Sequence, residues 1–98
     1  MEMFGYFEDS KLVGVVGLED NNYIPVLYIL KEYQHQHIGT KLLNFVINTY
    51  NNYDIITLDS NFESVDMYLK YGFEIDESKT NNHSVPMKYK RRKYERKS

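Results

Sequence analysis

Apolar and polar positions change their spacing once, about a third of the way along the chain. Up to Leu30 the apolar residues alternate or run together as strands require. Met3–Glu8 alternates loosely, Lys11–Leu18 (KLVGVVGL) is a β-branched run, and Tyr23–Leu30 (YIPVLYIL) is nearly continuous. Asp9-Ser10 and Asp20-Asn21-Asn22 interrupt these runs, which predicts an antiparallel meander of three strands. Pro25 has no amide hydrogen to give a ladder, so it belongs at the start of the third strand or at a bulge. From Gly39 the period becomes helical: Leu42, Leu43, Val46, Ile47 and Tyr50 share one face, with Lys41, Asn44 and Asn48 between them. Asn51-Asn52 is expected to end this helix.

The second half is shorter in all its elements. Ile55–Asp59 reads as a buried strand, and Ser60 and Glu63 have the spacing of a capping box that opens a second helix running to about Tyr71. Val65, Tyr68 and Leu69 give that helix its apolar face. Gly72 stands where a helix end wants a residue with positive φ, Phe73 begins a further strand, and Val85–Tyr89 is the last strand candidate. The chain has no repeat and no linker, so the expected fold is one α/β unit of the α+β kind, in the order βββαβαββ.

Length and composition narrow what such a unit can be. Ninety-eight residues make one domain, and a chain this short buries only roughly 60–65% of its unfolded surface. A bound ligand or a second subunit would add the burial it lacks. The chain has no cysteine, which excludes disulfides, thiolate zinc sites and a cysteine nucleophile. Its start, MEMFGYFEDS, does not read as a signal peptide, and no apolar run approaches the roughly 18 residues of a membrane span, so the expected setting is soluble and cytoplasmic.

The net charge of −2 conceals a division. Residues 1–86 carry five basic against thirteen acidic side chains, while residues 87–98 (MKYKRRKYERKS) carry seven basic against one acidic. The basic end reads either as a solvated terminus or as a contact for nucleic acid or another anionic surface. The acidic body argues against a nucleic-acid-binding face on the domain itself.

The join between the third strand and the first helix, LYILKEYQHQHIGTKLL at residues 27–43, carries the candidate chemistry. A strand that runs straight into a helix leaves the first helical amides unpaired, with the helix dipole behind them, and such an end binds anions such as a pyrophosphate. Gly39 permits close approach there. The plain alternative is an ordinary helix start.

The wording of this segment resembles the acetyl-CoA-binding motif of the GNAT family of N-acetyltransferases, L-Y-V-x-P-E-Y-[RQ]-G-x-G-I-G-x-x-L-L. Leu27-Tyr28-Ile29, Glu32-Tyr33-Gln34, Ile38-Gly39 and Leu42-Leu43 match it. A second family motif, N-x-x-A-x-x-x-Y-x-x-x-G-F, is matched downstream by Asn61, Ser64 in the Ala position, Tyr68 and Gly72-Phe73. The resemblance runs from about residue 3 to residue 89 and implies a domain over residues 1–89 followed by a basic tail at 90–98. Lys31 departs from the pattern where the family has Pro, and His35 and His37 where it has Gly. A His at a position that needs positive φ costs about 1 kcal/mol or more. The family also opens with a strand and two helices ahead of the position matching Met3. The expectation is therefore a short form, with one sheet edge at Met3–Glu8 and one apolar face open, which assembles as a homodimer or, failing that, with a separate partner chain.

The resemblance implies a role for each matched residue. The backbone of Ile29 and Leu30 would pair with the pantetheine arm, the alternative being ordinary sheet pairing. Gln34, His35, Gln36, His37, Ile38, Gly39 and Thr40 would line the pyrophosphate, and Asn61 would face the pantetheine unless it only starts a helix. Tyr68 would act as general acid toward the leaving CoA thiolate, or else be a core aromatic. Glu19, at the end of the second strand, is a weak candidate for general base, the alternative being an inert turn carboxylate. His35 and His37 lack a third ligand, so no metal is implied.

Three functions follow from this reading. The first is acetyl transfer from acetyl-CoA to a primary amine by direct attack in a ternary complex. The second is a catalytically weak or inactive module that binds CoA or an acyl-CoA. The third is an interaction protein that docks through its basic tail.

Overall fold

The computed structural model describes residues 1–50, 53–79 and 82–91. The expected helix stop at Asn51-Asn52 and the basic tail beyond Arg91 lie outside the described residues. The chain divides into two compact units, Met1–Asn51 and Asn52–Ser98.

The first unit is built on a hairpin. Strands β1 (Glu2–Glu8) and β2 (Lys11–Leu18) pair antiparallel across the two-residue turn Asp9-Ser10. Both turn residues have positive φ, 48° and 68°, the geometry whose twist suits a tight hairpin. Tyr6 pairs with Gly14 but Phe7 pairs with Leu12, so Val13 is an extra residue and β2 bulges there. The third apolar run is split at Pro25-Val26 into β3 (Tyr23–Ile24) and β4 (Leu27–Ile29). One strand was expected over Tyr23–Leu30. Pro25 lies at the break, and the pairing with β2 slips there by one residue, as at a bulge: Gly17 N–H donates to Val26 O at 2.9 Å and Glu19 N–H to Tyr23 O at 2.8 Å, three residues on one side against two on the other. With β4 as third member, the antiparallel meander β1-β2-β4 stands as expected.

Helix α1 (Ile38–Thr49) covers one face of that sheet. Ile38, Leu42, Leu43, Val46 and Ile47 are buried, the face that the helical spacing marks out. Each such side chain contributes on the order of 1.5–3 kcal/mol relative to exposure. Phe4 of β1 stacks edge-on against Phe45 at 4.8 Å, and the Tyr50 hydroxyl donates to the Glu2 carboxylate.

In the second unit β5 (Ile55–Ser60) pairs antiparallel with β7 (Val85–Lys90) along its full length, and β6 (Glu74–Ile75) pairs with the other side of β7. The last strand thus reaches Lys90, one residue past the expected boundary. Helix α2 (Val65–Tyr71) follows a short 3-10 turn at Phe62–Ser64. The Ser60/Glu63 capping box does not form. Ser60 is the final residue of β5 and is buried, its hydroxyl donating to Asn61 O, while Asn61 Oδ1 accepts from the Ser64 amide at 2.9 Å. Continuation of the strand through Ser60 moves the cap one residue along. The helix ends as expected: Gly72 has φ 127°, and Tyr68 O accepts from both Gly72 N–H and Phe73 N–H.

Asp76, nearly buried, organises the turn after β6. Its Oδ1 accepts from the Ser78 hydroxyl at 2.6 Å and the Ser78 amide at 3.2 Å, with Lys88 Nζ at 3.8 Å. The Ser78 hydrogen bond, more than the lysine, holds the carboxyl below its ordinary range. The stability it lends is present above the unfolded pKa and is lost as pH falls through the lowered folded value.

The hairpin turn yields a direct test. Ser10 adopts positive φ without the freedom of glycine, so Ser10→Gly should stabilise the protein by about 0.5–1 kcal/mol. Urea denaturation measures this, and a loss of stability would show that the Ser10 side chain contributes more than its backbone strain removes.

Candidate functional site

The site candidates fall in both units. In the first, β4 leads through a 3-10 turn at Lys31–Tyr33 and the segment Gln34–His37 into α1. Val26, Tyr28 and Leu30 alternate toward β2, and Leu30 is fully engaged: its N–H donates to Val13 O at 2.9 Å and its carbonyl accepts from Tyr33 N–H at 2.9 Å. Ordinary pairing therefore occupies Leu30. Ile29 alternates the other way, so its amide points away from β2, and its carbonyl accepts from Gln34 Nε2 at 3.1 Å.

The turn into α1 is made by two left-handed residues, His35 at φ 67° and His37 at φ 64°. Both stand where the family motif has glycine, and each carries the left-handed cost of about 1–2 kcal/mol for a residue with a Cβ. The imidazole of His37 makes no capping hydrogen bond. The first intrahelical bond runs from Lys41 N–H to His37 O at 3.1 Å. The amides of Ile38, Gly39 and Thr40 therefore have no partner within the helix, at the positive end of a twelve-residue dipole. No acidic side chain lies in the first turn to compete for them. A left-handed residue followed by a helical one is the backbone arrangement in which successive amides can face one anion. Gln36 lies exposed between the two histidines.

Two supports of this loop escape a reading of the sequence. Gly14 of β2 faces Ile38 and Leu42, and a Cβ there would stand 3.0 Å from Ile29 Cδ1 and 3.3 Å from both Ile38 Cγ2 and Leu42 Cδ1. The signal was present as a glycine inside a β-branched run, which marks a close approach without saying to what. Lys41, in the second turn of α1, donates to the Tyr6 hydroxyl at 3.2 Å and lies 5.5 Å from that ring's centroid. No local pattern links positions 6 and 41.

In the second unit Tyr68 is 6% exposed on α2 and packs edge-on against Phe73 at 5.5 Å. Phe73 in turn meets Tyr71 and Tyr89, so the ring rests on an aromatic cluster. Asn61 is exposed and caps the 3-10 turn, which commits its Oδ1 to the Ser64 amide. Glu19 is an exposed residue in the first unit, bridged to Tyr23. Among the described residues no three His, Asp or Glu side chains gather as a metal-binding group, and no helix is long and apolar enough to cross a membrane.

Comparison with known proteins identifies the family of this domain. Residues 1–91 match a family described as "Acetyltransferase (GNAT) domain". N-alpha-acetyltransferase 50 of Danio rerio is 36% identical over 88 residues, which cover 78% of this chain and 52% of the relative. The chain thus spans about half the length of that protein. The crystal structure of PaiA N-acetyltransferase from Thermoplasma acidophilum in complex with coenzyme A superposes with a TM-score of 0.76 at 27% identity, covering 91% of this chain and 60% of that one. Arabidopsis thaliana Naa50, solved with the bisubstrate analogue CoA-Ac-MVNAL, shares the fold at TM-score 0.70 and 20% identity, over 88% of this chain and 70% of that one. The antiparallel α+β arrangement with two helices is therefore that of a known family.

Burial pushes the Tyr68 phenol up from 10.0 to about 12. The folded state holds this proton more tightly than the unfolded chain, so the associated stability is complete below about pH 10 and is lost as pH rises toward 12. Relative to Tyr68→Phe, the wild type should lose about 1.4 kcal/mol between about pH 8 and about pH 11. Paired urea titrations measure the difference, and a gap that does not change with pH would mean that the hydroxyl is solvated in the fold.

Proposed function

The chain belongs to the GNAT acetyltransferase family, and on that footing we propose that it transfers acetyl from acetyl-CoA to a primary amine by direct attack in a ternary complex. The observation that carries this is the turn into α1, where unpaired amides at Ile38, Gly39 and Thr40 meet a left-handed step in a segment that keeps the family's wording. The pyrophosphate lies against residues 34–40, and the pantetheine arm pairs with the backbone of Ile29, Leu30 being already engaged with Val13 and Tyr33. Asn61 borders the pantetheine through its amide nitrogen, since its Oδ1 caps the helical turn.

Bound in this way, the thioester is positioned for attack, and positioning with backbone polarisation of its carbonyl supplies most of the rate. The amine nitrogen bonds to the acetyl carbon, the carbon–sulfur bond breaks, and the sulfur leaves as a thiolate. Tyr68 is the general acid toward that thiolate. Its raised pKa keeps the phenol protonated at neutral pH, so it acts first as a hydrogen-bond donor to the growing negative charge. Glu19, exposed at the end of β2, is the weak candidate for taking the ammonium proton.

Among amines, peptides with a free N-terminal amine deserve first place in a panel, given the likeness to an N-alpha-acetyltransferase. The setting proposed is cytoplasmic, since a chain without cysteine gains nothing from an oxidising compartment. The assembly proposed is a homodimer, with the acetyltransferase domain at 1–89 and a basic end at 90–98.

A second reading, a CoA-binding module of little or no turnover, is favoured by His35 and His37 at left-handed positions. A thiol-release assay with acetyl-CoA and peptide and small-molecule amines separates the two. Under the first reading thiol appears with an amine present, and Tyr68→Phe lowers the rate about 10- to 1000-fold with CoA affinity nearly unchanged. Under the second, acetyl-CoA raises the melting temperature but releases no thiol. Absence of any thermal shift at millimolar acetyl-CoA would remove both.

The loop offers an independent measurement. His37→Gly relieves a left-handed residue, so CoA affinity should hold or rise. A large loss would show that the imidazole itself contacts the ligand.

A further inference from the structure

One contact in the first unit stands across the path proposed for the pantetheine arm. Strand β4 is an outer strand of the sheet β1-β2-β4, and Ile29 turns its amide and its carbonyl to the side away from β2. A strand-like partner on that side makes two bonds, accepting from the Ile29 N–H and donating to the Ile29 carbonyl. The carbonyl is already taken. Gln34, five residues on, donates to it from Nε2 at 3.1 Å. A carbonyl only accepts, so the NH2 end of the side-chain amide is the end that faces it. Gln34 thus makes with Ile29 the same amide-to-carbonyl bond that an amide N–H of pantetheine would make.

The turn does not need this bond for its shape. Backbone bonds close the 3-10 turn at Lys31–Tyr33: Tyr33 N–H donates to Leu30 O at 2.9 Å and Gln34 N–H to Lys31 O at 3.3 Å. Lys11 of β2 reaches the same turn, 4.0 Å from the Glu32 carboxylate and 5.5 Å from the Tyr33 ring centroid. The backbone of Gln34 is therefore held whatever its side chain does. Gln34 is exposed, so release of its side chain uncovers no core residue.

We propose that the Gln34 side chain is an internal stand-in for the pantetheine amide, which occupies Ile29 O in the free protein and is displaced when coenzyme A binds. The site then carries its own competitor, and the outward acceptor of β4 stays paired until the ligand arrives. This role rests on the acetyl-CoA reading above and concerns the side chain of Gln34, whose backbone still borders the phosphates. Displacement exchanges one exposed amide–carbonyl bond for another, so the competition is mild. Removal of the donor should tighten coenzyme A by about 2- to 5-fold. A bond that instead braced the loop would act with the opposite sign, since its loss would loosen the turn and weaken every ligand that the loop holds.

Calorimetric and NMR titrations of the wild type and Gln34→Met with coenzyme A, pantetheine and inorganic pyrophosphate test this. Methionine keeps the length of the side chain and removes the donor, and far-UV circular dichroism checks that the variant folds. If it does not fold, Gln34→Ala takes its place. Coenzyme A and pantetheine should each bind the variant about 2- to 5-fold more tightly, while pyrophosphate, which has no amide to offer Ile29, binds both proteins alike. The side-chain NH2 resonances lost in the variant are those of Gln34, and in the wild type pantetheine should move them toward the positions of a solvated amide. If coenzyme A binds the wild type but these resonances stay in place, or the variant binds it no more tightly, the role of Gln34 is overturned alone. A variant that loses affinity for both coenzyme A and pyrophosphate overturns it in favour of a brace. A wild type that binds no coenzyme A overturns the acetyl-CoA reading, and this role with it.

Discussion

The contact between α1 and the bare backbone of Gly14 sets the position of everything that a ligand would meet in the first unit. With no Cβ at that position, Ile38 and Leu42 settle directly over β2, and the first turn of the helix is seated against the sheet. The amides of Ile38, Gly39 and Thr40 are then held by a buried helix rather than by a loop. An anion site made this way gives up little entropy on binding, because the packing has already ordered its donors. A side chain at Gly14 would lift that turn, and with it the amides.

The same constraint places the strain. Once the helix is seated, the chain from β4 must reverse quickly to reach it, and the reversal falls on His35 and His37 with positive φ. Glycine accepts that geometry without steric cost, whereas an imidazole-bearing residue does not. The protein thus carries backbone strain at the loop proposed for the pyrophosphate, offset by the burial of five apolar side chains on α1. Strain kept at a functional loop and balanced by core packing is a common arrangement.

The second unit handles its polar groups differently. Tyr68 is positioned by carbon: Phe73 abuts its ring, Tyr71 and Tyr89 close around Phe73, and Gly72 lets the chain turn under them. Removal from water is what raises its pKa, with no charged neighbour involved. A phenol so held is a durable donor and a reluctant acid, and this shapes the role proposed for it at the leaving thiolate.

Local pattern determined much of this protein. Strand and helix periods placed the hairpin, α1, β5, β7 and the end of α2 to within a residue or two, because each buries one face and the spacing of apolar residues records which. The start of α2, at Val65, was set instead by the 3-10 turn ahead of it. Gly72 was legible as a helix end, and residues 27–43 and 61–73 were legible as family motifs because they preserve residue types at set intervals. Tertiary structure decided what depends on neighbours distant in sequence. Pro25 splits its run where the pairing with β2 slips by one residue, and the cap passes from Ser60 to Asn61 because pairing with β7 extends β5 by one residue. Leu30 is engaged and Ile29 turned outward through the register with β2, which no interval within residues 27–30 encodes. Whether His37 is left-handed and whether Lys41 meets Tyr6 follow from packing across tens of residues. A one-dimensional pattern carries periods, whereas these outcomes depend on distances.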